Sequence, residues 1–304
     1  MTSHNDNLKA VIIVVFAYLG FSGADMFSKM LGQVYDVHQI LVTTSSIGIL
    51  ITGFWVWRSL GWRGFIPPEK AGAHLLRAVC VAFIPLCVIS ALKLMPMADY
   101  YGIAFCAPFI TLVLSYFFLG EKIGLWRWGC VAAGFVGILI IAGPQFDQFG
   151  LGIAMALFAA TCVAASIIAV RKIGPKAPRP LYVFYPFVAI FLMNIGFIPF
   201  VDELRAVPLG DYWQFAALVT LVMLSQYGFA IGHATASEAA VTAPFLYTQI
   251  IWGLLFGWLV FGDIPVPTTW IGVAIVIAAG LYSIWREYRT HRAIDSIPVP
   301  GQPL

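Results

Sequence analysis

Long apolar segments alternate with short polar stretches along almost the whole chain. The segments are roughly 17 to 24 residues long, and Pro, Gly or charged residues bound them. At about 1.5 Å per residue, each can cross a hydrocarbon core about 30 Å thick as a helix. The pattern predicts an all-α membrane protein with ten transmembrane helices and no separate soluble domain. The predicted spans lie near residues 9–31, 38–58, 73–94, 97–119, 126–143, 150–171, 180–200, 212–233, 238–261 and 268–286.

The composition agrees with this pattern. Of the 304 residues, 61% are hydrophobic and 10% are charged, whereas a soluble domain is about 25% charged. The mean hydropathy is +0.90. The net charge of +3 does not indicate nucleic-acid binding, because the basic residues are scattered through short loops. The cysteines lie inside apolar runs without a CxxC motif or a nearby histidine. We therefore expect buried thiols, and neither a metal site nor a bound cofactor.

The distribution of basic residues predicts the orientation of the chain. Ten spans place both termini on one side of the membrane. Of the 17 lysines and arginines, all but three would lie on that side; Lys93 and Arg205 would lie opposite, and Lys29 falls within a span. Cytoplasmic loops carry an excess of Lys and Arg. Both termini are therefore predicted to be cytoplasmic.

Two stretches of the chain resemble each other. The first is "ITLVLSYFFLGEKIGLWRWGCVAAGFVGILIIAG" (110–143), and the second is "IWGLLFGWLVFGDIPVPTTWIGVAIVIAAGLYSIW" (251–285). In each, an aromatic-rich helix ends in a Gly-acid pair, Gly120-Glu121 or Gly262-Asp263. These turns follow spans four and nine, on opposite faces of the membrane. They favour an inverted repeat of two five-helix halves over the general likeness of apolar helices.

The paired endings "FFLGEKI" and "LVFGDIP", together with "SGADMFSKML" in span one, carry a family resemblance. The chain resembles EamA-type members of the drug/metabolite transporter superfamily. The pattern is most similar to bacterial S-adenosylmethionine and riboflavin carriers, and it also resembles amino-acid exporters. One stretch departs from that branch: Gln39 and Thr44 stand in span two where its members often carry a Glu and an Arg.

The resemblance implies an architecture and a location. It implies EamA-like repeats at 9–143 and 150–286, a cytoplasmic tail at 287–304, and a location in the bacterial inner membrane. It also implies a central cavity that opens alternately to the two sides.

Span one carries two charges, Asp25 and Lys29. A charge at mid-bilayer costs about 2.5 to 3.5 kcal/mol on insertion scales, so it is expected only where an ion pair or water stabilises it. Four residues separate this acid and base, which places both on one face of the helix. Two interpretations follow: an ion pair within the helix, or a polar wall of the cavity that meets the cargo or a proton.

Other polar and aromatic side chains fall at membrane depth. They are Tyr101 in span four, Gln226 in span eight, and Tyr247, Gln249 and Trp252 in span nine. Amides at that depth need a partner from a neighbouring helix or from cargo. These residues are candidates for substrate contact, with packing between helices as the alternative.

These features predict a secondary transporter of a small organic metabolite. The sequence has no GxxxxGK[ST] loop for a nucleotide, and no HExxH or GxSxG motif for hydrolysis. It is therefore not expected to be an enzyme. Aromatics, amides and one acid-base pair suit S-adenosylmethionine-, riboflavin- or amino-acid-like cargo. Export of amino acids or toxic metabolites is the alternative, and a non-transporting scaffold or sensor is a third interpretation. Coupling to a proton or another ion is left open.

Overall fold

The computed structural model describes residues 2–62, 71–120, 125–143, 146–173, 180–201, 204–235, 245 and 247–295. Structural statements below refer to these residues. They are helical almost throughout and contain no strand. The helices are α1 (Thr2–Gly32), α2 (Val37–Leu60), α3 (Ala71–Leu94), α4 (Met97–Ala104), α5 (Ala107–Leu119), α6 (Leu125–Ala142), α7 (Phe146–Ile173), α8 (Leu181–Ile195), α9 (Tyr212–Thr235), α10 (Thr248–Phe256) and α11 (Pro267–Asp295).

The lengths and hydropathy of these helices are those of a multi-pass membrane protein. Within the described ranges, six helical segments are long and apolar enough to cross a bilayer: Leu8–Gly32, Val37–Leu60, Ala71–Leu94, Met97–Phe118, Gly150–Ala169 and Val183–Phe200. Three shorter apolar helices accompany them, Trp128–Ala142, Thr248–Phe261 and Pro267–Ser283. The prediction of an all-helical membrane protein is confirmed.

The first and last helices extend furthest beyond the predicted spans. The first begins at Thr2 instead of residue 9, and the last continues to Asp295 instead of ending near residue 286. The predicted tail at 287–304 therefore begins as a continuation of α11, and residues 296–304 lie outside the described part. Hydrophobicity locates the membrane segment of a helix, but backbone hydrogen bonding continues into polar sequence beyond it.

The fourth span is broken into α4 and α5. Phe105 and Cys106 separate the two helices, and Pro108 lies in the first turn of α5. A proline there leaves no N–H unsatisfied at the start of α5, and it cannot donate the backbone hydrogen bond that would continue α4 into α5. The short helix α4 can therefore lean independently against its neighbours. It packs on α10, α7, α6 and α11.

The glycines of the two Gly-acid pairs have the same backbone conformation. Gly120 ends α5 with φ 69° and ψ 21°. Gly262 has φ 69° and ψ 16°, and it ends a π-helical turn, Gly257–Phe261, that extends α10. Left-handed residues are strained when they carry a Cβ, so glycine is the residue that can end a helix in this way.

The helices pack as a bundle around α1, α3, α4 and α10. The most extensive contacts join α1 to α9, α3 to α7, α6 to α11, and α2 to α8. Helices α6 and α11 approach so closely that a Cβ on Gly137 would lie 2.9 Å from the carbonyl oxygen of Gly272. Because α1 also contacts α10, residues from the start and the end of the chain meet in the interior.

Candidate functional site

A polar cluster lies where α1, α4 and α10 meet. The Tyr101 hydroxyl donates a hydrogen bond to Asp25 Oδ2 at 2.7 Å, and the Gln249 side chain is also hydrogen-bonded to the Asp25 carboxylate. Ser22 Oγ donates to the backbone carbonyl of Gln249 at 3.2 Å. Only 2% of Tyr101 is exposed. We call Ser22, Asp25, Tyr101 and Gln249 the central cluster.

A glycine on α10 allows Tyr101 to reach Asp25. Gly253 lies one turn after Gln249, and a Cβ at this position would overlap the Tyr101 ring. Phe105 supports the ring from the same segment, with centroids 6.2 Å apart. The absence of a side chain at Gly253 therefore sets the depth at which the Tyr101 hydroxyl lies.

Lys29 is paired across the bundle. Its Nζ lies 2.5 Å from Asp263 Oδ2, in the turn after α10. It also donates to the backbone carbonyl of Met95 at 3.4 Å and lies 4.6 Å from the centroid of the Phe261 ring. The side chain is 8% exposed, and these contacts satisfy an ammonium that would otherwise be costly to bury.

An ion pair within α1, one of the two interpretations of these charges, is not what the structure shows. Asp25 and Lys29 are each bound to residues of other elements. The four-residue spacing permits contact between the two side chains but does not require it. The Gly262 turn instead brings a second carboxylate, Asp263, to the lysine. This acid belongs to the second of the two Gly-acid pairs, but nothing in the sequence shows that it meets Lys29.

The remaining predicted residues differ in their surroundings. Tyr247 is buried, with its ring centroid 5.6 Å from that of Phe105. Trp252 is half-buried, and its indole Nε1 is buried without a hydrogen-bond partner in the described part of the chain. Gln226 is exposed on α9, and the structure does not bring it to the central cluster. Six of the seven predicted residues therefore lie on the elements that form the cluster or next to them, and Lys29 lies one helical turn from Asp25 on α1.

Several polar pairs join the two halves of the chain at the same end of the bundle. In each pair one residue precedes position 143 and the other follows position 150. The pairs are Lys29–Asp263, Asp99–Thr269, Tyr35–Asp211, Gln39–Arg205 and His38–Asn194. They lie where α1, α8 and α10 end and where α2, α4, α9 and α11 begin. We call this the bridged end.

One of these pairs lies outside the apolar spans. The Tyr35 hydroxyl, in the turn after α1, donates to the Asp211 carboxylate before α9. This hydrogen bond raises the pKa of Tyr35 from its ordinary value of 10.0 to about 12. The bridge therefore has a protonated tyrosine as its donor throughout the neutral range.

Comparison with protein families identifies the chain. The model of the EamA-like transporter family matches residues 8–143 and again residues 150–285. The chain belongs to the EamA-like transporter family. This confirms the resemblance found in the sequence and makes the protein a membrane transporter.

Named relatives of this EamA-like transporter move different small molecules. A riboflavin transporter of Rhizobium johnstonii is 29% identical over 72% of this chain and 72% of its own length. An S-adenosylmethionine uptake transporter of Rickettsia bellii is 25% identical over 93% of this chain and 97% of its own. A pseudopaline exporter of Pseudomonas aeruginosa is 25% identical over 90% and 95% of the two chains. A solved crystal structure with 16% identity superposes with a TM-score of 0.59 over 91% of this chain and 96% of its own, which shows the same fold.

Gln39 and Thr44 have structural partners in this EamA-like transporter. The Gln39 side-chain amide donates to the backbone carbonyl of Arg205, and its oxygen accepts from the Arg205 amide at 3.4 Å. Thr44 Oγ1 donates to the carbonyl of Ile40, one turn back in α2, at 2.8 Å. The position where related carriers often carry an acid thus contributes to the bridged end and not to the central cluster.

Proposed function

We propose that this EamA-like transporter is a secondary carrier that moves a small organic metabolite across the bacterial inner membrane by alternating access. The cargo is S-adenosylmethionine-, riboflavin- or amino-acid-like, as in the relatives that carry such compounds. The observation that carries this proposal is the central cluster, in which neutral donors, Tyr101 and Gln249, hold the Asp25 carboxylate inside an apolar bundle. Such a carboxylate has unused capacity to accept hydrogen bonds or to pair with a cation.

Aromatic groups beside this carboxylate supply the other contacts. Trp252 follows Gln249 by less than one helical turn on α10, and its buried indole N–H has no partner among the described residues. Tyr247, two residues before Gln249, adds a buried ring. A hydrogen-bond donor without a partner is costly inside a membrane. A cargo oxygen or nitrogen that accepts a hydrogen bond from the Trp252 indole N–H would remove that cost. Asp25, Tyr101 and Gln249 would bind the polar part of the cargo, and Trp252 and Tyr247 its planar part.

The proposed architecture is ten transmembrane helices in two inverted five-helix repeats, 9–143 and 150–286. The helix contacts support it, because exchanging the halves exchanges α1 with α7 and α3 with α9. Under that exchange the contact of α1 with α9 becomes the contact of α7 with α3, and both are among the most extensive in the bundle. The contacts of α2 with α8 and of α6 with α11 map onto themselves. The two matches of the family model fall on the same halves.

The orientation follows from the basic residues. With both termini in the cytoplasm, Lys93 and Arg205 face the opposite side. The bridged end, which includes the Arg205 backbone, is then external. In this arrangement the polar pairs close the external side of the carrier.

The direction of transport depends on the gradients. An exporter of amino acids or toxic metabolites is the alternative, and the pseudopaline exporter among the relatives favours it. Alternating access runs in either direction, so the same site serves both. Coupling to a proton or another ion would use Asp25, the acid of the central cluster.

Counterflow in proteoliposomes tests this function. Purified protein is reconstituted into vesicles loaded with S-adenosylmethionine, riboflavin or an amino-acid mixture, and exchange of the labelled compound is measured. We expect saturable exchange of one of these compounds. Asp25→Asn, which keeps the shape of the side chain, should lower exchange at least about tenfold because it removes the charge that the cargo meets.

The controls separate transport from folding. The amount of Asp25→Asn in the membrane and its melting temperature should stay close to those of the wild type, since its neutral donors can bond an amide oxygen. Gln226→Ala is the matched control, because Gln226 is exposed and lies away from the cluster. Folded wild-type protein without exchange of any compound, or equal loss in the two variants, would contradict the proposal.

A further inference from the structure

Lys29 occupies a position from which two carboxylates are within reach. Asp25 lies four residues before it on α1, on the same face of the helix and about 6 Å away along the axis. Asp263 approaches the same ammonium from the turn after α10, with 2.5 Å between Nζ and Oδ2. In this structure Lys29 is paired with Asp263, and Asp25 is left to neutral donors.

A negative charge on Asp25 would therefore not be balanced by this part of the protein, so without a cation the carboxyl group is expected to keep its proton. In the described residues, the ion pair formed by Lys29 is the one with Asp263, and the groups bonded to the Asp25 carboxylate are the hydroxyl of Tyr101 and the amide of Gln249. Neutral donors satisfy hydrogen bonds but do not cancel a charge in an apolar interior. A sulfonium, the permanent cation of an S-adenosylmethionine-like cargo, is a group that would cancel it.

The segment that holds Asp263 is wound differently from the α-helix before it. Residues Gly257–Phe261 form a π-helical turn, in which the Asp263 amide donates to the carbonyl of Gly257 at 3.0 Å. A π turn contains more residues than an α turn, and such turns are frequent at functional sites. If this turn rewound as an α-helix, with one residue fewer in the turn, the residues after it would rotate by about 100° around the helix axis. Asp263 would then leave Lys29.

We propose that Lys29 exchanges Asp263 for Asp25 when the end of α10 moves, and that it thereby competes with a cationic group of the cargo for the Asp25 carboxylate. When Lys29 is paired with Asp263, Asp25 is open to the cargo cation. When Asp263 leaves, the buried ammonium requires another carboxylate, and Asp25 lies one turn away. Lys29 then displaces the cation. The second half of this proposal rests on the proposed transport function, whereas the partner exchange does not.

The partner exchange has a test that needs no cargo. Dicyclohexylcarbodiimide modifies carboxyl groups that carry a proton in an apolar environment, and mass spectrometry of peptides locates the modified residue. Full-length protein in detergent should be modified at Asp25 in the wild type. Asp263→Asn frees Lys29 to ionise Asp25, so its modification should fall at least about fivefold. In the double variant Lys29→Gln/Asp263→Asn the competitor is absent, and modification should return to within about twofold of the wild type.

Two outcomes would overturn the exchange: unchanged modification in Asp263→Asn, or equal modification in Asp263→Asn and in the double variant. In Lys29→Gln alone, modification of Asp25 should stay within about twofold of the wild type, because Lys29 is paired with Asp263 and not with Asp25. Gel filtration reports folding. If Asp263→Asn is not monodisperse, Asp263→Ser removes the same charge with a smaller side chain, and the same comparison applies.

Competition with the cargo is measured with two ligands that differ in charge. Both compounds carry an α-ammonium, but S-adenosylmethionine also carries a sulfonium at the position where S-adenosylhomocysteine has a neutral thioether. In Asp263→Asn the dissociation constant should rise about tenfold for S-adenosylmethionine and less than about twofold for S-adenosylhomocysteine. In the double variant, the dissociation constant for S-adenosylmethionine should return to the wild-type value. Equal weakening of both would overturn the competition. If neither compound binds the wild type while the carbodiimide pattern holds, the proposed cargo class is wrong and the partner exchange stands.

Discussion

At the scale of single residues, the central contact is the hydrogen bond from Tyr101 to Asp25. It joins α4 to α1 in the interior, and Tyr101 is almost fully buried. A hydrogen bond to a charged group contributes about 1.5–3 kcal/mol. This single hydroxyl therefore has a large share in keeping the carboxylate in place.

Removing that hydroxyl should weaken cargo binding. Tyr101→Phe keeps the ring against Gly253 but leaves Asp25 with one donor fewer, so the dissociation constant should rise about tenfold or more. Tyr100→Phe is the matched control, since Tyr100 is the adjacent buried tyrosine. Equilibrium binding of the transported compound to both purified variants checks this prediction. Similar losses in the two variants would show that the ring environment, and not the Asp25 bond, is responsible.

The Tyr35–Asp211 bridge should give the stability a dependence on alkaline pH. The folded pKa of Tyr35, about 12, lies above its ordinary value of 10.0, so the bridge stabilises the fold fully below pH 10. This contribution is lost as the pH rises from about 10 to about 12, because the unfolded chain loses the tyrosine proton first. The melting temperature of Tyr35→Phe should therefore lie below that of the wild type at neutral pH, and the gap should narrow above about pH 10.

Tyr212→Phe provides the control for this measurement, since Tyr212 is 45% exposed in the same region. It should melt within about 1 °C of the wild type across the same pH range. If the difference in melting temperature between Tyr35→Phe and the wild type stayed constant to pH 12, the stability would not depend on the proton that Tyr35 donates to Asp211.

At the scale of elements, α10 has glycines where α4 packs against it. Gly253 and Gly257 have the small-xxx-small spacing that brings membrane helices together, yet the two glycines have different neighbours. A Cβ at Gly253 would overlap the rigid ring of Tyr101, whereas one at Gly257 would find its nearest atom, in Met97, at 3.6 Å. The spacing alone does not distinguish them.

Alanine at these two positions should have unequal effects. Gly253→Ala displaces Tyr101 and should cost about 1–3 kcal/mol of stability, together with the bond to Asp25. Gly257→Ala adds a methyl at ordinary contact distance and should be tolerated. Thermal unfolding in detergent and counterflow in vesicles check both. An equal loss in the two variants would mean that helix approach in general, and not the Tyr101 position, depends on these glycines.

At the scale of the whole molecule, the polar pairs of the bridged end hold the two halves together on one side. An alternating-access carrier has to separate such pairs to open that side. Asp99 and Thr269, which begin α4 and α11, are buried and hydrogen-bonded to each other, so a covalent link between these positions should hold the bridged end closed.

Cross-linking tests this expectation. In Asp99→Cys/Thr269→Cys, oxidation or a short bismaleimide should abolish counterflow, and dithiothreitol should restore it after oxidation. The single cysteine variants under the same treatment are the controls, because the chain also contains buried native cysteines. Full cross-linking without loss of exchange would show that the bridged end does not open during transport.

Much of the fold could be predicted from local sequence. Hydrophobic runs determine where the membrane segments lie, and the two Gly-acid pairs mark turns that the structure shows with the same left-handed φ of 69°. These features depend on neighbouring residues along the chain. The ends of α1 and α11 could not be predicted in this way, because helices continue past the apolar segment.

The chemistry of the candidate site was determined by residue type, and its connections by tertiary structure. The sequence alone shows that Asp25, Lys29, Tyr101 and Gln249 are polar groups at membrane depth that need partners. Only the fold decides that Lys29 pairs with an acid 234 residues away and not with the one four residues away, and that Gln226 is exposed. The physical reason is that spacing along a helix sets which contacts are sterically allowed, whereas burial of the charge selects the partner that the packed helices bring closest.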